Sequence, residues 1–286
     1  MGTFTRSQRI KRYRCRDLRR EMGQIDAVDD RQKRVPWFSQ CAMDKLTVSV
    51  IGAGGLGSAF VRGAVAKGVR WLNIYDGDIV TPSNLNRQFF TARDIGKNKA
   101  HRLARNASRA GFMGTQITAV PFFFQAALDR GIDVGCDLVF CGVDNDETRK
   151  EVGRIFFSKP VVFAAVSSDA GHGYVAVQEP GKACFGCFWP PALPPHAAVI
   201  RTDGTCPVEP AVVDVLWVVA GLALYAVDSL VMDRPRTWNF RQVTLSGLVP
   251  EINAVIAPRP GCPLCGGRPF SALYGADDDC EAPVEA

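Results

Sequence analysis

LTVSVIGAGGLGSAFVRGAVAKGVRWLNIYDGD, from Leu46 to Asp78, decides the architecture. Val48, Val50 and Ile51 form a short, β-branched apolar run of the kind buried on both faces of a parallel sheet. A glycine turn follows directly. Gly52, Gly54 and Gly57 fit G-x-G-x-x-G, whose glycines permit a tight turn, backbone approach to a phosphate, and close packing of helix on strand. The spacing predicts a helix from about Leu56 to Lys67, with its N-terminal N–H groups turned toward an anion in the loop. A second strand, Trp71 to Tyr75, then delivers Asp76 about 20 residues past the loop, where a carboxylate accepts hydrogen bonds from ribose hydroxyls. Strand, loop, helix, strand and acid in this order favour a nucleotide site over an empty turn.

The chain has 286 residues, 47% of them hydrophobic and 22% charged, which suits a globular protein with one large core or two modest ones. Its longest apolar stretch, Val215 to Val227, lies between Asp214 and Asp228 and reads as a core helix too short to span a bilayer. The N-terminus has charge but no apolar signal-peptide core, and Arg6 breaks the myristoylation pattern, so the expected setting is cytoplasmic, without a membrane partner. An Arg-rich transit peptide is the minor alternative. The net charge of +5 is concentrated at one end: residues 1–20 hold eight basic residues against Asp17 alone. That arm is expected to be a solvated, partly helical extension, with contact to nucleic acid or an acidic partner as the functional alternative.

Further along, Asp29 to Lys45 reads as a connector and Ile79 to Asp94 as an irregular stretch carrying TPSNLNRQFF. Lys97 to Ala110 has helical amphipathicity; Gln116–Pro121, Asp137–Cys141 and Pro160–Val166 read as strands. Asp144 falls at the carboxyl end of the second of these, where doubly wound sheets place ligands. In the second half, Gly171 to Gln178 alternates like a strand, and a proline-rich segment runs to Thr205. A long apolar helix covers about Ala211 to Met232, followed by antiparallel strands at Thr237–Phe240 and Val243–Leu245. The organisation expected is an arm and connector (1–45), a Rossmann-like half (46–170), a second half of the same domain (171–274) and an acidic, disordered tail (275–286).

Two C-x-x-C pairs, Cys184/Cys187 and Cys262/Cys265, carry the clearest metal signal among ten cysteines. Two thiolates from each pair complete a closed tetrahedral zinc site, structural because it has no open position for a catalytic water. A redox role for either pair is the competing reading. Around the glycine loop, Asp76, Asn84, Arg87, Gln88, Lys99 and Asp144 all fall on loops or helix starts at the carboxyl edge of the sheet. Each alone reads as a surface charge or polar group. Together, cations and an aspartate beside a phosphate loop suit ATP with Mg2+ better than a dinucleotide.

At this point the chain resembles the ThiF, MoeB and ubiquitin-activating enzyme superfamily, from about Arg31 to Gly266. The motifs that carry the resemblance are GAGGLGS, D-x-D-x-V-x-x-SNL-x-RQ from Asp76 to Gln88, the lysine of IGKNK, DN-x-x-x-R from Asp144 to Arg149, and the paired C-x-x-C. The resemblance implies an α/β fold with a mixed sheet of roughly eight strands, a Rossmann-like ATP-binding half and a zinc-clipped second half, usually in a homodimer. It implies adenylation of the C-terminal glycine of a ubiquitin-like or sulfur-carrier β-grasp protein. By the same resemblance Gly54 and Gly55 cradle phosphate, Asp76 binds ribose, Arg87 the triphosphate and Lys99 the α-phosphate, and Asp144 holds magnesium. The family also lends an arginine across the dimer to the γ-phosphate; Arg34, with Arg31 as alternative, is the match here. Cys206, in TCPVE, partly matches a thiol that takes the acyl group as a thioester before transfer to a conjugating enzyme or sulfur acceptor. A tRNA-base-modifying dehydratase of the same superfamily, an NAD-dependent oxidoreductase and a zinc-stabilised binding module are the alternatives.

Overall fold

The computed structural model describes residues 8–21, 28–188, 211–232 and 234–266. Nine strands make one sheet: β1 (Lys11–Arg14), β2 (Thr47–Ile51), β3 (Trp71–Tyr75), β4 (Gln116–Val120), β5 (Leu138–Cys141), β6 (Val161–Val166), β7 (His172–Gln178), β8 (Phe240–Thr244) and β9 (Ile252–Ala254). Their order is β1-β4-β3-β2-β5-β6-β7-β8-β9. The middle strands, β4-β3-β2-β5-β6, pair in parallel, while β1 at one edge and β7, β8 and β9 at the other pair antiparallel.

The helices are α1 (Leu18–Glu21), α2 (Asp30–Lys33), α3 (Gln40–Met43), α4 (Gly55–Lys67), α5 (Lys99–Ala110), α6 (Phe124–Leu128), α7 (Asp146–Ile155), α8 (Phe185–Phe188) and α9 (Val213–Val231). One face of the sheet is covered by α4, α5 and α9, the other by α6, α7, α8 and the four clustered cysteines. Both layers are needed because β2 is buried on its two faces, as its continuous apolar run predicts. Local signals set the helix limits. Asn98 caps α5 by accepting the His101 N–H, and Gly68, at φ +81°, ends α4 in the left-handed conformation that glycine adopts without strain.

Three expectations are corrected. The ninth strand comes from the basic arm, which is not merely a solvated helical extension: Lys11–Arg14 adds as an edge strand to β4. The two strands expected at Thr237–Phe240 and Val243–Leu245 are one strand, β8, whose hairpin partner Ile252–Ala254 the sequence pattern did not mark. Third, α9 has the extent expected of it, but its apolar stretch is not too short to span a bilayer: by length and composition the helix could cross a membrane. Here it packs against α4, β6 and β7. Asp228 is tolerated inside because Lys67 and Arg234 both reach it, Arg234 at 2.7 Å. The Arg234 guanidinium is itself sandwiched between Trp37 and Tyr225, 4.1 and 3.9 Å from the ring centroids.

Candidate functional site

Parallel strands expose their carboxyl ends along one edge, and there a cavity of about 470 Å³ opens at the N-terminus of α4. Gly52, Gly54, Gly55, Asp76, Asn84, Arg87, Gln88, Lys99 and Asp144 line it. The loop is shaped by steric need. Gly52 sits at φ +94°, and a Cβ on Gly57 would lie 1.9 Å from the Gly52 carbonyl oxygen, so Gly57 supports the turn by packing and does not line the cavity. At Gly54 a Cβ would meet nothing within 4 Å. That open space, in front of the first N–H groups of a 13-residue helix, fits a phosphate group.

The polar residues divide into some already engaged and some open to a ligand. Asp76 is buried; its carboxylate accepts the Ala53 N–H at 2.7 Å and the Asp78 N–H at 2.8 Å, so it braces the loop. Burial raises its pKa, opposed by Lys99 and those two N–H groups. Asn84 likewise works locally, accepting the Thr81 N–H to cap a short turn. Lys99 pairs with Asp78 at 2.8 Å, and Arg87 donates to the Ser83 carbonyl and, at 3.0 Å, to Asn86 Oδ1. Gln88 Oε1 is buried without a hydrogen-bond partner, and Asp144 is exposed at the cavity with no ion pair among the described residues. An orphaned acceptor and an unneutralised carboxylate in one cavity are what a bound nucleotide and a cation would satisfy.

The sequence reading passed over Asp78, Asn98 and the fixed position of Arg149. Asn98 donates from its amide to the Asp76 and Asp78 carbonyls, at 2.8 and 3.1 Å. Arg149 is buried between Asp146, at 2.7 Å, and the Val143 carbonyl, at 2.6 Å, which anchors the turn that presents Asp144. Asp78 was visible as the second acid of D-G-D; the other two were visible only as motif letters.

Arg34 is not brought to the cavity. It lies beyond α2, exposed and paired with Asp30, while Gln32 of the same helix touches the Lys67 carbonyl at the far end of α4. Thirteen residues of helix, about 20 Å, separate that end from Gly55. Cys206 lies outside the described residues.

The second half holds the predicted cluster. Cys184, Cys187, Cys262 and Cys265 are buried with all four sulfurs within 4.8 Å of one another. Cys184 Sγ lies 3.7 Å from Cys187 Sγ and 3.5 Å from Cys262 Sγ, and Cys187 lies 3.5 Å from Cys265. A tetrahedron with Zn–S near 2.3 Å has edges of about 3.8 Å, so the donor set fits zinc in number, type and spacing. Burial and the Cys187 thiol beside it push Cys184 up; burial also opposes ionisation of Cys262, yet the backbone N–H groups of Cys265 and Leu264 bring it down to about 7.

Comparison with known proteins identifies relatives of the chain. A sulfur carrier protein adenylyltransferase of Thermus thermophilus is 29% identical over 242 residues, covering 79% of this chain and 84% of that protein. The SAMP-activating enzyme E1 of Haloferax volcanii is 28% identical, covering 80% of this chain and 84% of that protein. The adenylyltransferase and sulfurtransferase MOCS3 of Danio rerio is 28% identical over 80% of this chain, which spans only 50% of the zebrafish protein. Among solved structures, E. coli MccB superposes with a TM-score of 0.65 at 18% identity, over 80% of this chain and 67% of that one, a likeness of fold alone. The profile of the ThiF family matches residues 24–264. The chain belongs to the ThiF family.

Proposed function

We propose that this chain uses MgATP to adenylate the C-terminal glycine of a small ubiquitin-like or sulfur-carrier β-grasp protein. The observation that carries the reading is the single cavity in which the α4 N-terminus, two cations (Arg87 and Lys99), the orphaned Gln88 and the unneutralised Asp144 converge. A carboxylate attacking a triphosphate is opposed by like charge, so such a site needs cations and fixed placement more than acid–base groups. The glycine carboxylate oxygen bonds to the α-phosphorus, the bond from that phosphorus to the α,β-bridging oxygen breaks, and the β- and γ-phosphates leave together as pyrophosphate. The N–H groups following Gly54 and Gly55 bind phosphate, and Asp76 accepts from ribose while still bracing the loop. Arg87 swings from Ser83 to the triphosphate, and Lys99 leaves Asp78 for the α-phosphate. Asp144 would hold magnesium, which when bound offsets charge on the departing pyrophosphate.

In the same reading the Cys206 thiolate displaces AMP to form a thioester, from which a conjugating enzyme or sulfur donor takes over. The cysteine cluster would hold zinc and serve structure. A homodimer completes the assembly. Its support is the outer side of α9, where Trp217, 66% exposed, and Val213, also exposed, stand beside Leu85 and Phe89. Arg34, remote within its own chain, would then reach the partner's γ-phosphate. Titration calorimetry tests the nucleotide: MgATP should bind, and Asp144→Ala should weaken it about tenfold or more. NADH binding that survives Asp144→Ala, with no MgATP binding, would replace the proposal with an oxidoreductase.

A further inference from the structure

The far edge of the sheet carries a second surface that adenylation does not use. Across β1, β4 and β3, register places Arg14 beside Gln116 and Trp71, and Arg12 beside Thr118 and Asn73. The side chains in these two rows point to one face of the sheet, since their neighbours Tyr13, Ile117 and Leu72 pack on the α5 side. Among the described residues nothing covers this face: Arg12 and Arg14 are exposed, Gln116 and Thr118 half-exposed, and Trp71 is 37% exposed. Cover begins only at Asn73, buried against the Gly135 carbonyl. Arg70 backs the indole of Trp71, its guanidinium carbon 4.8 Å from the ring centroid.

The strand-edge arginines stand outside ion pairs. Among the described residues, Lys11, Arg12 and Arg14 form no salt bridge, and neither do Arg105 and Arg109 on α5 around the same edge. Of the nearby acids, Asp17 pairs with Arg19 and Arg20 and Asp94 with Arg102, while exposed Asp133 and Asp137 flank the Trp71–Asn73 side and keep their charge. Arginines two residues apart on a strand stand about 6.8 Å apart, comparable to the step between successive phosphates of an extended single strand. An exposed indole two strands away, about 10 Å from Arg14 across Gln116, offers a base-stacking platform, and an acidic peptide has no use for one.

We propose that this open face of β1, β4 and β3 binds single-stranded RNA, with Arg12 and Arg14 on phosphates and Trp71 under a base. The surface is separate from the adenylation cavity, so its test stands whatever that cavity does. Fluorescence anisotropy with the full chain and a fluorescein-labelled 20-mer of uridine, about 50 to 200 mM NaCl, should show salt-dependent binding. The pair Arg12→Glu with Arg14→Glu should weaken it at least tenfold, and Arg12→Gln with Arg14→Gln should make the log–log salt slope shallower by about 1.4, the value for two lost phosphate contacts. Trp71→Ala should weaken binding several-fold and Trp71→Phe restore it. MgATP affinity and melting temperature, unchanged in the glutamine pair, exclude misfolding as the cause. Three results would overturn the proposal: no binding by the unmodified chain at the lowest salt, affinity indifferent to both arginine pairs, which would leave them as guards against edge-to-edge strand pairing, or an oligo-glutamate peptide bound as tightly as the RNA.

Discussion

The middle of the sheet and its β8–β9 edge solve the same problem by different means. The parallel strands β3, β2 and β5 are almost wholly buried and hold the nucleotide-type loop by backbone fit within about thirty residues of sequence. The antiparallel strands β8 and β9 are half-exposed or exposed, and their layer is closed by cysteines 78 residues apart. A well-buried region needs no clip. Where apolar burial is thin, a cross-link must supply what the core does not.

That contrast predicts a ranking of damage. The largest effect is expected from the clip: Cys184→Ser with Cys262→Ser, or strong chelation, should cost about 4 kcal/mol, the loop-closure scale for a link of this span. Differential scanning calorimetry should show a fall of about 10 °C, and hydrogen exchange should rise first in β8 and β9. Loss of protection beginning in β2 instead would break the comparison. Next comes Gly57→Ala, where a methyl group would meet the Gly52 carbonyl oxygen at 1.9 Å and its carbon at 2.9 Å, backbone atoms that cannot swing aside. We expect about 2–3 kcal/mol of destabilisation and loss of nucleotide binding, read by urea denaturation and calorimetry. Gly54→Ala sharpens the point, since its Cβ meets open space. Stability should stay within about 0.5 kcal/mol while MgATP affinity falls roughly tenfold.

The smallest expected effect is a pH dependence. Asp94 is buried and accepts from Asn106 at 2.8 Å, from Thr91 and from Arg102. Burial works to raise its pKa, but those donors together hold it below the usual carboxylate value. A depressed folded pKa stabilises above the unfolded value, about 3.9, and that contribution is lost as pH falls through the folded one. Asp94→Asn should therefore flatten the acid limb of stability against pH below about 4, measured by denaturation at fixed temperature. An unchanged acid limb would remove Asp94 from the account.

The parallel region was legible because its rules are local. An apolar run, three glycines and an acid at set intervals fix Gly52 to Asp76 in one unit, and Asp144 follows from the same carboxyl-edge rule. What escaped depends on contacts between distant segments. Whether Lys11–Arg14 joins β4 is decided by residues more than a hundred positions away, and the basic, unalternating KRYR carries little strand signal. The membrane-length apolarity of α9 was missed for a related reason, although its extent was read within two residues. A buried aspartate reads as a boundary until Lys67 and Arg234 are seen beside it. The Lys99–Asp78 pair is legible only in part: D-G-D was visible, but which acid would take the lysine was not.

The most direct test of the adenylation reading is ATP–pyrophosphate exchange, with the purified chain and a β-grasp protein ending in Gly-Gly. The account predicts exchange that requires the terminal glycine and Mg2+, falls at least a hundredfold in Asp144→Ala and Lys99→Ala, and persists in Cys206→Ser because the thiol acts after adenylation. Exchange independent of the terminal glycine, or none with any β-grasp protein despite MgATP binding, would contradict it.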